Sequence, residues 1–97
     1  MATRAAKLAA NVSSGDTTAV LYAGGRTALV LIASAYGSKV KLQMLANDSS
    51  TYIDINGTTY SANQITIYDL PEGYYRMHIT GGTTTALYAD LVSIPYY

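Results

Sequence analysis

From Thr17 onward, apolar and polar side chains alternate along most of the chain, which places successive residues on opposite faces of a β-strand. In KVKLQML, for example, Val40, Leu42 and Met44 share one face, while lysine and glutamine share the other. The β-branched and aromatic residues of these runs also suit a pleated surface better than a helix. The pattern predicts eight short strands, at residues 18–22, 27–34, 39–45, 52–55, 58–62, 64–69, 74–80 and 84–94.

The run ALVLIA, at residues 28–33, is apolar on both faces of its predicted strand. A strand with this pattern is normally covered on both sides. We therefore expect one face to pack in the core and a neighbour to cover the other face.

Turn residues separate the predicted strands. Asn56-Gly57 supplies the two positive φ angles of a type I′ hairpin, and residues 70–73, Leu-Pro-Glu-Gly, predict another turn. The double glycines at residues 24–25 and 81–82 precede strand-like runs and lack the Lys and Ser or Thr of a phosphate-binding loop. We therefore expect each double glycine to form a tight turn and to bind no ligand.

Together these patterns predict an all-β, antiparallel β-sandwich or jelly-roll-like single domain over residues 17–97. Residues 1–16 interrupt the alternation. They have some helix propensity but are too short for a stable isolated helix, and Ser13-Ser14-Gly15 favours a flexible end. We therefore expect residues 1–16 to form an extended N-terminal arm, and residues 17–97 to fold without it.

The composition excludes several classes of function. Charged residues make up 12% of the chain and the net charge is zero, so there is no electrostatic signature of nucleic-acid or membrane-surface binding. The longest apolar run is far below the roughly 20 residues that span a bilayer, and the first residues lack the apolar segment of a secretory signal. The absence of cysteine excludes disulfides and thiolate metal sites.

The chain offers little material for catalysis. His78 is the only histidine and Glu72 the only glutamate, and no nucleophile motif accompanies them. Asp54 and Asn56-Gly57 resemble the end of a calcium loop, but Tyr52 stands where the first carboxylate should be. The sequence therefore predicts no catalytic, metal-binding or cofactor-binding residue, no cofactor, and an ordinary exposed strand position for His78.

Ten tyrosines stand in a chain without Phe or Trp. Tyrosine has an apolar ring and a polar tip, so it suits half-buried positions and surfaces that become covered on association. With zero net charge and the apolar residues 28–33, this indicates more apolar surface than one small sandwich hides. We expect a homo-oligomer, with a trimer favoured, that associates through tyrosines: Tyr74, Tyr88, Tyr96 and Tyr97.

Residues 21–94 resemble a type of small virion protein of tailed bacteriophages. The segments that carry the resemblance are LYAGGRTALVLIASAYGSKVKLQML, STYIDINGTTYSA and DLPEGYYRMHITGGTTTALYADLVSI. The resemblance implies a structural role in the virion and brings no catalytic residue with it.

On this basis we expect a non-enzymatic capsid decoration, or cement, protein. It would bind the major capsid protein or another virion protein on the capsid exterior, after assembly in the host cytoplasm. The alternative is a receptor-binding, glycan-binding or adaptor module at a tail or fibre, where a tyrosine-lined pocket would stack on sugar rings. In the first case the arm would contact the capsid through four residues: Arg4, Lys7, Leu8 and Val12.

Overall fold

The computed structural model of the chain describes residues 5–55 and 59–94. These residues contain strands and connecting loops and no α-helix, so the all-β prediction is confirmed. The strands are β1 (Ala5–Val12), β2 (Gly15–Asp16), β3 (Val20–Tyr22), β4 (Gly25–Ile32), β5 (Ala35–Leu45), β6 (Tyr52–Asp54), β7 (Gln64–Leu70), β8 (Gly73–Thr85) and β9 (Leu87–Ser93).

The strands form two antiparallel sheets that enclose one core. The four-stranded sheet has the order β1-β9-β4-β7. The five-stranded sheet has the order β2-β8-β5-β6, and β3 pairs with another part of β8. Most connections between consecutive strands lead from one sheet to the other, as in a β-sandwich. The predicted antiparallel sandwich is therefore confirmed.

The core consists of the alternate side chains that the period of two predicts. On β5, Val40 and Leu42 are fully buried, and Met44 packs against the core. On β8, the three predicted inward residues are also buried: Tyr75, Met77 and Ile79. The alternation of apolar and polar residues in β5 and β8 therefore predicts correctly which side chains face the opposite sheet.

Three tyrosines, Tyr22, Tyr60 and Tyr75, are among the largest fully buried side chains. The rings of Tyr22 and Tyr75 meet edge to face with centroids 6.2 Å apart. Burial raises the pKa of Tyr75 to about 12 and also raises the pKa of Tyr60. Each hydroxyl has a partner: Tyr22 with Thr27 Oγ1 at 2.9 Å, Tyr60 with the Tyr68 hydroxyl at 2.5 Å, and Tyr75 with the Pro71 carbonyl at 2.5 Å. These tyrosines therefore pack their rings in the core while each hydroxyl keeps a hydrogen-bond partner.

The double glycine at residues 81–82 lies inside β8, and the prediction of a hairpin turn there is wrong. The register with β5 moves from Lys39 opposite Thr80 to Gly37 opposite Thr83, so β8 contains one extra residue. This is a β-bulge, for which glycines at positive φ are well suited; the angles are +75° and +146°. The chain instead leaves β8 at Ala86, which adopts a φ of 53°.

The double glycine at residues 24–25 connects β3 of the five-stranded sheet to β4 of the four-stranded sheet. Both glycines have positive φ, 82° and 92°. A Cβ on Gly24 would lie 2.6 Å from the Leu70 carbonyl oxygen, so the chain passes very close to the β7–β8 turn. This pair therefore turns the chain, as predicted, but between sheets and not within a hairpin.

The predicted Asn56-Gly57 turn lies outside the described residues, but its flanks are visible. Tyr52–Asp54 pairs with β5, and the Tyr60 N–H donates to the Val40 carbonyl at 2.7 Å, also on β5. Both flanks therefore pair with β5 in the same direction along the edge of the sheet. Of the strand predicted at residues 58–62, the described part forms only this isolated bridge.

The N-terminal segment, expected to be an arm, is an integral part of the sandwich over residues 5–17. Strand β1 pairs with β9, and Leu8 is 3% exposed between the sheets. Two further contacts follow β1: the Thr84 N–H donates to the Ser13 carbonyl at 2.8 Å, and the Met77 N–H donates to Thr17 Oγ1 at 2.9 Å. A helix this short is marginally stable in isolation, whereas pairing with β9 gives the backbone of β1 hydrogen-bond partners within the sheet. Tertiary contacts therefore override the helix propensity of this segment.

Candidate interaction face

The outer side of the four-stranded sheet carries large apolar side chains that no part of the described chain covers. Their exposed fractions are 52% for Ile32, 69% for Ile65, 49% for Ile67, 43% for Tyr88 and 40% for Val92. We refer to these five side chains as the apolar face. The predicted double-sided character of residues 28–33 explains its centre: Leu29 and Leu31 enter the core, and the alternate residues point outward.

The strand register places the apolar face on the neighbouring strands β7, β4 and β9, with Asp90 between its two members on β9. Ala28 lies between Ile67 and Val92, and Ile32 lies opposite Tyr88. Several large, exposed apolar side chains on one side of a sheet are typical of a contact surface.

Charged residues lie on the same outer side as opposite-sign neighbours. Asp90 interrupts β9 between Tyr88 and Val92 and lies opposite Lys7 on β1, and Arg26 on β4 lies opposite Asp69 on β7. The charges on this side are therefore balanced, which suits a surface that is desolvated on contact better than a surface with one sign of charge.

The outer side of the five-stranded sheet has the opposite character. Six polar side chains form one connected series across β2, β8, β5 and β6, which we call the polar ladder. In the order in which they contact one another, they are His78, Asp16, Arg76, Gln43, Asp54 and Lys41.

Each contact within the polar ladder joins two of its side chains. Asp16 contacts the His78 ring and forms an ion pair with the Arg76 guanidinium, with a nitrogen–oxygen distance of 3.2 Å. The Arg76 Nε donates to Gln43 at 3.0 Å, and its guanidinium lies 3.5 Å from the centroid of the Tyr52 ring. Each side chain of the ladder thus contacts another on a neighbouring strand, and the series links four strands of the sheet.

Asp54 ends the ladder by accepting from the Gln43 amide at 2.8 Å and the Lys41 ammonium at 3.0 Å. These hydrogen bonds, that of Gln43 above all, lower the pKa of the Asp54 carboxyl below its usual value.

A lowered pKa in the folded state stabilises the fold above the ordinary pKa of aspartate, and this contribution disappears as the pH falls through the folded value. Between about pH 5 and about pH 3, we expect the urea midpoint of the native protein to fall more than that of Asp54→Asn. Equal declines in the two proteins would show that the contacts of Asp54 contribute nothing to stability.

The sequence did not identify the partner of His78. Asp16 lies 62 positions away and was assigned to the arm, so nothing local pointed to the contact. His78 sits in a strand of the five-stranded sheet and is partly exposed, with Asp16 beside its ring. Within the described residues, no group of three His, Cys, Asp or Glu side chains is placed to hold a metal ion.

Two of the clefts on the described surface bear on the glycan-binding alternative. One, of about 480 Å³, lies between β1 and the β2–β3 segment, and its lining includes Lys7, Leu8 and Thr17. The other, of about 330 Å³, lies beside β6 and includes Met44 and Ile53. Tyrosine lines neither cleft, so neither matches the tyrosine-lined pocket expected of a glycan-binding module.

The described residues that were predicted to contact a capsid do not form one exposed surface. Lys7 is exposed, Leu8 is in the core, and Val12 packs against the core. Arg4 lies outside the described residues. Leu8 and Val12 are therefore engaged within this chain and are not available to a partner as the arm hypothesis required.

The predicted self-association tyrosines do not share one surface. Tyr74 is 45% exposed on the outer side of the five-stranded sheet, whereas Tyr88 belongs to the apolar face on the other side. Tyr96 and Tyr97 lie outside the described residues. The sequence therefore pointed to two components of the apolar face, Tyr88 and, through residues 28–33, Ile32. It missed Ile65 and Ile67, whose alternation in ITIY could have revealed them.

In the part of the chain that the structure describes, no helix is long and apolar enough to span a membrane. No protein-family model, no curated protein and no solved structure matches this chain.

Proposed function

We propose that this chain is a non-enzymatic structural protein of a tailed-bacteriophage virion, which decorates the capsid and uses the apolar face as its contact surface. The observation that carries the proposal is the apolar face itself, with Ile65 the most exposed of its side chains. The virion as the setting comes from the resemblance of residues 21–94 to small phage structural proteins.

The two outer sheet surfaces offer a partner different things. The side chains of the polar ladder contact one another, while the apolar face leaves large side chains in water that association would remove. A partner that covers this face gains the transfer of apolar surface from water, which is the dominant favourable term in most protein association. The partner we propose is the major capsid protein or another virion protein on the capsid exterior.

The receptor-binding or glycan-binding alternative receives less support. The ring of Tyr52 is already covered by Arg76, and the two clefts have no tyrosine in their linings. The exposed Tyr74 and Tyr88 lie on opposite sheets, so they cannot enclose one sugar ring between them.

The test is binding to phage particles that have been depleted of this protein. We expect Ile32→Lys with Val92→Lys to weaken cosedimentation with the particles by about tenfold or more, because both charges would be desolvated at the contact. Thr80→Lys, an exposed position on β8, is the matched control and should bind like the native protein. Undiminished binding by the double variant, with its circular dichroism unchanged, would exclude the apolar face as the contact surface.

A further inference from the structure

Strand β7 is an edge strand of the four-stranded sheet, and it lacks the features that protect the other edges. It pairs with β4 on one side, and no described strand pairs with its other side. Its seven residues, QITIYDL, contain no Lys, Pro or Gly, and its register with β4 is continuous. Exposed edges of this kind are templates for pairing with another strand.

The remaining edges are each protected. Strand β1 carries Lys7, two register shifts against β9 and a positive φ at Asn11. In the five-stranded sheet, the edge strands β2, β3 and β6 are only two or three residues long. Short strands, bulges and lysine are the usual devices against pairing at an edge, so β7 is the exception in this fold.

Hydrogen-bond directions show which backbone groups of β7 face the open edge. The Ile94 N–H donates to the Arg26 carbonyl at 2.8 Å, so the backbone groups of Arg26 point toward β9. These directions alternate along a strand, so the odd-numbered residues of β4 point toward β7. The Ala33 N–H agrees with this assignment, because it donates to the Asn63 side chain just before β7 at 2.8 Å.

The odd-numbered residues of β4 lie opposite Gln64, Thr66 and Tyr68, which therefore bond inward to β4. The N–H and C=O groups of Ile65 and Ile67 consequently point away from β4 toward the open edge. Ile65 and Ile67 therefore each expose an apolar side chain on the outer face and direct their backbone hydrogen-bonding groups toward the open edge.

We propose that β7 pairs with β7 of a second copy of this chain, antiparallel, about a two-fold axis at Thr66. In this register Ile65 lies opposite Ile67 of the partner subunit, and Thr66 lies opposite its own equivalent. The sequence around Thr66 reads Gln-Ile-Thr-Ile-Tyr, so a two-fold axis at Thr66 sets each isoleucine opposite an isoleucine of the other copy, and the contact is isologous.

This register is more favourable than one with the two-fold axis at Ile67. Each Ile65–Ile67 pair exchanges two backbone hydrogen bonds and places two apolar side chains side by side. A two-fold axis at Ile67 would instead set Ile65 against Asp69, which would place a carboxylate beside an apolar side chain. The pairing joins two four-stranded sheets into one and makes the two apolar faces continuous. The inference does not depend on the virion role.

Cysteine cross-linking tests the register directly, because the chain contains no native cysteine. Residues opposite each other in a non-hydrogen-bonded pair have Cα atoms about 4.5 Å apart, within the range that a disulfide bridges. We expect Thr66→Cys to form a covalent dimer on oxidation, and Thr80→Cys, exposed on the other sheet, to remain monomeric. Ile65→Cys mixed with Ile67→Cys should cross-link, whereas each alone should not.

Light scattering at rising protein concentration tests the association itself. We expect a dimer for the native protein and for Ile32→Lys, and a monomer for Ile65→Lys, which places a charge at the paired edge. Ile65 is largely exposed, so its substitution should leave the circular dichroism unchanged. A native protein that stays monomeric at millimolar concentration, a trimer that persists in Ile65→Lys, or equal cross-linking of Thr66→Cys and Thr80→Cys would each overturn the proposal.

Discussion

A chain that begins at Thr17 is expected to lose cooperative folding. The truncation removes β1, which pairs with β9 along the edge of the four-stranded sheet, and it uncovers the core where Leu8 packs. It also removes Asp16, which joins His78 and Arg76 on the opposite sheet. A small domain has only about 5–15 kcal/mol of net stability, so the loss of a strand with a buried leucine is enough to unfold it.

A single substitution gives a graded form of the same result. Leu8→Ala should lower the free energy of unfolding by about 2–5 kcal/mol, because it leaves a cavity between the sheets. The matched control is Lys7→Ala, since Lys7 is the exposed neighbour on the same strand and should change stability little. Urea unfolding followed by circular dichroism measures both. A chain beginning at Thr17 that unfolds cooperatively at the native midpoint would restore the arm interpretation.

Gly82→Ala is expected to be the most disruptive substitution in the five-stranded sheet. A Cβ at residue 82 would lie 2.3 Å from the carbonyl oxygen of Gly37, which is backbone and cannot move aside. Gly82 also has a φ of +146°, which side-chain-bearing residues rarely adopt. The combined clash and strain should cost about 3 kcal/mol or more.

Gly81→Ala is the control, because it lies in the same bulge with open space around its Cβ position. Its φ of +75° is costly for alanine, so we expect about 1 kcal/mol of destabilisation. Thermal or urea unfolding of the two variants distinguishes the contributions. Similar stability losses in both would mean that the close approach of Gly82 to Gly37 is not a constraint on this fold.

The bulge and the N-terminal strand together define how the sandwich is closed. Thr84, two residues after the double glycine, is fully buried, shares a short hydroxyl contact with Ser38 and donates its N–H to the Ser13 carbonyl. The extra residue in β8 therefore brings the end of β8 to the connection between β1 and β2. The two predictions address neighbouring parts of one junction, so their effects are not expected to be independent.

The sequence by itself determined the class of fold and the side chains that enter the core from β5 and β8. Alternation is a local property: the identity of Met77 and its neighbours at i±2 is enough to distinguish the buried face from the exposed face. The same local signal located most strands to within a few residues. It also showed that residues 28–33 have two apolar faces, which is the origin of the apolar face at Ile32.

Only the tertiary structure decided which strands pair, and hence where each surface lies. The alanines of β1 give no clear period because methyl groups fit a helix, a strand or a loop, so only β9 selects the strand. The double glycine at residues 81–82 suits a turn and a bulge equally, and its role depends on β5 passing beside it. The contact of Asp16 with His78 and the open edge of β7 arise from pairings between distant segments. No local pattern contains them, because strand order is set by long-range packing between the two sheets.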